Sequence, residues 1–210
     1  MEENIAILMA DLSGYTALTE THGSDSAADL VEEYIEMVND SLVADCHLHQ
    51  IVGDEVIIVS SSPDYLLSTA ILLMQKAHDK HNFLQLHGGL HYGKILKRND
   101  NYFGTTINLT SRITNTAHPG TFCCSEDYVN ALKNNASITF TSKGRSSFKN
   151  ISEDIHLFEL DILNPNKFSV DPVCRMLIHK EKKAVPHPNA PNIFFCSAGC
   201  LDIYTKKEFT

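Results

Sequence analysis

At 210 residues, 43% hydrophobic and 20% charged, the chain has the size and composition of one medium globular domain with a small appendage. A formal net charge of −9 argues against a broad nucleic-acid footprint, and no apolar run is long enough to span a membrane. The start, MEENIAILMADLSG, is acidic and its apolar stretch stops at Asp11, unlike a secretory signal; a cytoplasmic location is expected, with the six cysteines as thiols or metal ligands rather than disulfides.

In chain order, Ile5 to Ala10 reads as a short buried strand, and SGYTALTETHGS as a turn opening toward a helical turn. Ala27, Leu30, Val31, Tyr34, Ile35, Val38 and Leu42 recur every three or four residues, the pattern of an amphipathic helix. HQIVGDEVIIV places Gly53-Asp54 between β-branched runs, which predicts a hairpin. Residues 64–80 read as a second helix, LQLHGGLHYGKIL as a glycine-bearing strand, TTINLTSRITNTA as a helix, TFCCS as a strand and SEDYVNALKN as a short helix. ITFTSKGRSSFKNISEDIHLFEL predicts two strands around a polar connection. The leading order β-α-β-β-α-β is the ferredoxin-like pattern, so the fold class expected is α+β.

Composition changes near residue 161. Residues 161–210 hold seven Lys/Arg and five Asp/Glu, a balance of +2, whereas residues 1–160 carry 10 basic and 21 acidic groups, −11. The Asn- and Pro-containing stretch 161–169 reads as a linker between a domain at 1–160 and a module at 170–210 that holds three of the six cysteines.

In a ferredoxin-like order the first strand lies beside the hairpin, so Asp11 and Asp54 can converge. Two carboxylates with a backbone carbonyl between them suit Mg²⁺ or Mn²⁺, and Ser13-Gly14-Tyr15-Thr16 would turn amides toward phosphates if it opens a helix. These are parts of two-metal phosphoryl or nucleotidyl transfer. Spacing alone leaves the plain alternative, an acid that merely forms a turn, in the lead.

MADLSGYTALTE, HQIVGDEVIIV, LHGGLHYGKILKRNDNYFGTTINLTSRITNTAHPGTFCCSEDYV and FKNISEDIHLFEL resemble, in order, the motifs of the class III adenylate/guanylate cyclase catalytic domain, over about residues 4–160. The resemblance implies a ferredoxin-like core shared with polymerase palm domains. It implies that Asp11 and Asp54 bind two Mg²⁺ or Mn²⁺ ions with the carbonyl of Leu12 assisting, that Ser13, Gly14, Tyr15 and Thr16 cradle phosphates, that Asn108 orients the ribose and that Arg112 stabilises charge on the transferring phosphate. Lys149 stands where a phosphate-contacting lysine could lie, although a solvated surface lysine is the commoner case. Asn108 and Arg112, at i and i+4, share one helix face, and a planar guanidinium suits a phosphate in transfer. The implied reaction converts a nucleoside triphosphate to a 3′,5′-cyclic nucleotide and pyrophosphate, at sites completed across a head-to-tail homodimer. The alternative is a non-catalytic cyclase-homology module that senses nucleotide or metal. In the family, base choice rests on two positions held here by Gln50 and Asn101. Both are amides that can donate and accept, which favours ATP by prevalence and leaves GTP and pyrimidine triphosphates open.

The tail DPVCRMLIHKEKKAVPHPNAPNIFFCSAGCLDIY resembles the YHS domain, a small module related to heavy-metal-sensing cysteine motifs. Cys174, Cys196 and Cys200 would offer three soft ligands to Zn²⁺ or Cu⁺, with His179, His187 or water in a fourth position. Burial of these thiols as plain packing residues is an even alternative. Cys123 and Cys124 are expected in the core, and His87 and His91 as packed or solvent-facing residues of a strand beside the site.

Overall fold

The computed structural model describes the whole chain except residues 1, 100, 134–137, 161–167, 180–183 and 209–210, and the side chains of residues 168, 177, 179, 207 and 208. Strand β1 (Glu2–Ser13) has a strict two-residue alternation. Ala6, Leu8, Ala10 and Leu12 enter one apolar cluster and Ile5, Ile7 and Met9 another, so both faces of the strand are covered. Helix α1 (Tyr15–His22) follows Gly14, whose φ of +95° is open to glycine without strain. Helix α2 (Ser24–Asn39) then buries Ala27, Leu30, Tyr34 and Val38, the stripe expected from periodicity. The hairpin joins β2 (His47–Val52) to β3 (Glu55–Ser60) through Gly53-Asp54, with Gly53 at φ +64°. Helix α3 (Pro63–Asp79) starts with Pro63 behind the cap Ser62, whose hydroxyl accepts from Tyr65 N.

Beyond it come β4 (Gln85–Arg98), β5 (Asn101–Phe103), α4 (Thr105–Thr114), β6 (Phe122–Ser125), α5 (Glu126–Ala131), β7 (Phe140–Ser146) and β8 (Ile155–Leu160). The sheet order is β2-β3-β1-β4-β6-β8-β7, with β5 paired to β4. Its first four strands have the ferredoxin-like order expected from the sequence. Helices α1, α2, α3 and α5 cover one face through Leu18, Tyr34, Leu66, Leu73 and Tyr128. On the other face Ile107, Leu109 and Ile113 of α4 pack against the second and third apolar clusters.

Two glycines of β4 seat α4. A Cβ at Gly89 would lie 2.5 Å from Thr114 N and 2.9 Å from Thr110 O, and one at Gly93 would lie 3.0 Å from Thr106 Oγ1. The helix therefore rests almost on the strand backbone, which fixes where its polar residues emerge. Cys123 and Cys124 are fully buried, as expected. His91 is buried, its Nδ1 2.7 Å from the hydroxyl of Ser125, the N-cap of α5.

The C-terminal part has two small hairpins, β9 (Phe168–Val170) with β10 (Leu177–His179) and β11 (Val185–His187) with β12 (Ala190–Phe195), followed by α6 (Ala198–Glu208). Strand β9 takes up two residues of the stretch read as linker, whose remainder lies outside the described residues. Cys174, Phe195 and Cys200 are buried at the centre of this module. Among the described residues no helix is long and apolar enough to cross a membrane.

Candidate active site

Alternation along β1 puts Asp11 on the same face as Ile5, Ile7 and Met9, the face that carries α4. Asp54 comes from the β2–β3 turn, two residues before Val56, which pairs with Ala10. The two carboxyls are within hydrogen-bonding reach of each other, and Asp11 also accepts from Leu12 N at 3.0 Å. Burial raises both above the usual carboxylate range; for Asp54, Asp11 beside it adds repulsion and the value reaches about 6. Glu55 is raised as well, by burial and by the Asp54 charge.

Among the described residues no lysine or arginine forms an ion pair with Asp11 or Asp54. The nearest base is His87, opposite Asp11 in the β1–β4 register, with Nε2 3.8 Å from Asp11 Oδ2 and Nδ1 2.9 Å from Ser13 Oγ. Burial holds this imidazole below its ordinary 6.5 against the opposing pull of the Asp54 charge, and its own pull on Asp54 is outweighed there by burial and by Asp11. Below them Tyr34 is fully buried and donates to Ala10 O at 3.1 Å; burial, then Asp11 and Asp54, drive its pKa far up, so it stays a neutral donor. A pair of crowded carboxylates without a counter-charge fits a hard divalent cation.

The stretch expected to cradle phosphates does open a helix. Ser13 ends β1, Gly14 turns the chain, and Tyr15 and Thr16 open α1, whose N-terminus no side chain caps. Leu12 sends its side chain into the core on the opposite face. Asn108 is exposed on α4 and Arg112 follows one turn later, half-buried. The Arg112 Nε is buried without a hydrogen-bond partner among the described residues. Lys149 is exposed in the β7–β8 connection, whose Phe148 and Ile151 pack against the cluster of Leu109 and Ile113.

Gln50 and Asn101, far apart in sequence, line one cleft of about 450 Å³ together with His49, Lys97 and Tyr102. A register shift between Leu48 and Gln50 displaces His49, whose ring meets Tyr102 edge-on at 4.7 Å.

Three neighbours escaped sequence reasoning. His87 was read as packed or solvent-facing, yet the β1–β4 pairing sets it against Asp11. Tyr34 was read as a core stripe residue, which it is, with its hydroxyl aimed under the acids. Glu55 is the third: only its adjacency to Asp54 pointed to it. In the tail, Cys174, Cys196 and Cys200 converge, and among the described residues the fourth neighbour is not His187. His187 packs its ring against Phe195 and Tyr204 and accepts from Asn189 N, and the His179 side chain lies outside the described residues. His22 of α1 occupies that place; nothing in local spacing links residues 22 and 174.

Residues 1–161 match the sequence profile of the adenylate and guanylate cyclase catalytic domain. An adenylate cyclase of Glutamicibacter nicotianae is 28% identical over 156 residues, 74% of this chain. An uncharacterized protein of Mycobacterium tuberculosis is 39% identical over 112 residues, 53% of this chain. The chain spans only 38% and 30% of the length of these two relatives. Among solved structures, a Trypanosoma brucei adenylate cyclase in its monomeric state superposes with a TM-score of 0.73 at 19% identity, over 79% of this chain and 91% of that one. The guanylate cyclase domain from Catenaria anguillulae, in complex with GTP, gives 0.64 at 14% identity, over 78% and 100%. Both likenesses establish the fold.

Proposed function

Because the chain belongs, over residues 1–161, to the adenylate and guanylate cyclase catalytic domain family, we propose that it is a nucleotidyl cyclase, a phosphorus–oxygen lyase forming a 3′,5′-cyclic nucleotide and pyrophosphate. The observation that carries this reading is the Asp11–Asp54 pair: two half-buried carboxyls, both raised, with no lysine or arginine ion pair among the described residues and only His87 beside them. Asp11 and Asp54, with the Leu12 carbonyl, would hold Mg²⁺ or Mn²⁺. Such ions, when bound, acidify the ribose 3′-hydroxyl and neutralise charge on the triphosphate.

The chain's own groups divide the rest of the work. The free amides opening α1 receive phosphate oxygens. His87 holds the Ser13 hydroxyl in place beside Asp11. Asn108 positions the ribose, and Arg112 offers its fork to the phosphate in transfer. Gln50 and Asn101 face the base in their shared cleft, where two amides accommodate adenine best on family prevalence and guanine as a second substrate.

A homodimer with shared sites accords with two further features. Ile51 and Val52 on the hairpin and Phe103 on β5 are large apolar residues that stand 42%, 54% and 52% exposed. Asn108 is exposed and the buried Arg112 Nε lacks a partner in one chain. The deciding test is incubation of purified dimer with each of the four nucleoside triphosphates and Mn²⁺, with products read by mass. Cyclic AMP is expected as the main product; no cyclic product from any nucleotide would leave the non-catalytic sensor reading in its place.

A further inference from the structure

The side chains of His22, Cys174, Cys196 and Cys200 bring one ligand atom each to within 4.8 Å of one another. Cys174 and Cys196 sulfurs are 3.5 Å apart, Cys196 and Cys200 sulfurs 3.6 Å, and His22 Nε2 lies 3.8 Å and 3.6 Å from Cys196 and Cys200. In a tetrahedral zinc site, Zn–S of ~2.3 Å and Zn–N of ~2.0–2.1 Å put S···S edges near about 3.8 Å and S···N edges near about 3.6 Å. The four separations given lie close to these edges, and the other two are within 4.8 Å. They are far beyond the ~2.05 Å of a disulfide.

The surroundings are built around the ligands. Asp171 is fully buried; one carboxylate oxygen accepts from Val173 N and Cys174 N, the other from Cys196 N, at 2.7–3.2 Å. One acid thus orients two separate cysteine loops, as outer groups do at metal centres. Cys174 and Cys200 are fully buried, which matches a closed site rather than one that keeps a water position.

His22 belongs to the cyclase domain, at the last residue of α1, while the cysteines belong to the C-terminal module. Contacts at the other end of α1 run parallel. Arg175, with φ +68°, lies so close over Gly14 that a Cβ there would be 2.7 Å from its Cβ and Cγ, and Met176 forms an antiparallel bridge with Leu84. We propose that His22, Cys174, Cys196 and Cys200 bind one Zn²⁺ ion, and that this ion clamps the C-terminal module onto the segment joining β1 to α1. Binding releases the thiol protons and involves no redox change. The site goes beyond the cyclase reading, and its test needs no turnover.

The experiment uses the full chain, reduced and stripped with chelator, then titrated with Zn²⁺ against a competing chelator. One Zn²⁺ per chain is expected, with a three-sulfur, one-nitrogen shell by X-ray absorption. Zinc should also slow amide hydrogen exchange in residues 14–22 and 168–178 together. His22→Ala should bind at least about tenfold more weakly, lose the nitrogen from the shell and lose the joint protection. His22→Gln, which keeps a good helix former at the end of α1, should behave alike while circular dichroism stays native. Sub-stoichiometric zinc with three free thiols, a Cys174–Cys196 disulfide in unreduced protein, or unaltered affinity and shell in both His22 variants would each overturn the proposal.

Discussion

Asp54→Asn should stabilise the metal-free protein while removing its activity. Raising a carboxyl from 3.8 to about 6 corresponds to about 3 kcal/mol for a fully buried group. Asp54 is only half-buried, so solvent screening reduces this to about 1 kcal/mol. The sign follows from linkage: an acid whose folded value is raised binds its proton more tightly in the folded state, so its contribution is full below the unfolded value near 3.8 and is lost as pH rises through about 6. The wild type therefore carries the whole penalty at pH 7, and the neutral amide escapes it. At about 2–4 °C per kcal/mol, the melting temperature of Asp54→Asn in chelator at pH 7 should exceed wild type by about 2–4 °C. The gain should vanish by pH 4. With Mg²⁺ in excess the order should narrow or reverse, because the ion stabilises only the protein that binds it. Differential scanning calorimetry across pH 4–8 reads all three trends. A variant less stable than wild type at pH 7 in chelator, or a gain independent of pH, would refute the claim that the acids repel one another for want of a cation.

Gly89→Ala would drive a methyl against the backbone of α4 at Thr114 and Thr110; overpacking of about 1–3 kcal/mol should lower the melting temperature and, by tilting the helix that bears Asn108 and Arg112, reduce kcat more than it raises KM. Gln50→Lys should raise the ATP-to-GTP ratio of kcat/KM, measured with both nucleotides in competition, and an unchanged ratio would detach Gln50 from base choice. Heterodimers of Asp54→Ala with Arg112→Ala chains, purified by two tags, should regain about half the wild-type activity, since one of two shared sites is intact; confirmed heterodimers with none would exclude sharing.

Most of the sheet is legible because its inner strands are short apolar runs bounded by turn residues. In β1 the even residues Ala6 to Leu12 and the odd residues Ile5 to Met9 each find a cover, and the Gly53-Asp54 turn sets the register of its neighbour. The sequence marks α1 only as a turn opening toward a helical turn: among its residues only Leu18 is buried, so eight residues carry almost no periodic signal. Gln50 and Asn101 meet because β5 folds back along β4, a pairing of three residues that local pattern does not announce. His87 and His22 were hidden for the same reason. Each acquires its partner, Asp11 or the three cysteines, through contacts across 74 residues or more, and a single histidine carries no trace of what tertiary structure will set beside it.

Several features of this fold are unfavourable in isolation. Asp11 and Asp54 crowd each other without a counter-charge. The Arg112 Nε is desolvated without a partner, a loss of about 1–3 kcal/mol. Ile51, Val52 and Phe103 stand in solvent. On the opposite face Leu8, Tyr34, Leu73 and Tyr128 are fully buried and the tyrosine hydroxyls donate to Ala10 O and Pro63 O, while Tyr65 and Leu72 of α3 are exposed. A sequence under no constraint but stability would place a cation beside the acids and polar residues at the exposed apolar positions. Perturbed acids and a desolvated guanidinium in one domain are departures of the kind that functional sites show. If the proposed reading holds, metal should relieve the acids in a single chain, whereas the guanidinium should be relieved only when dimer and nucleotide are both present.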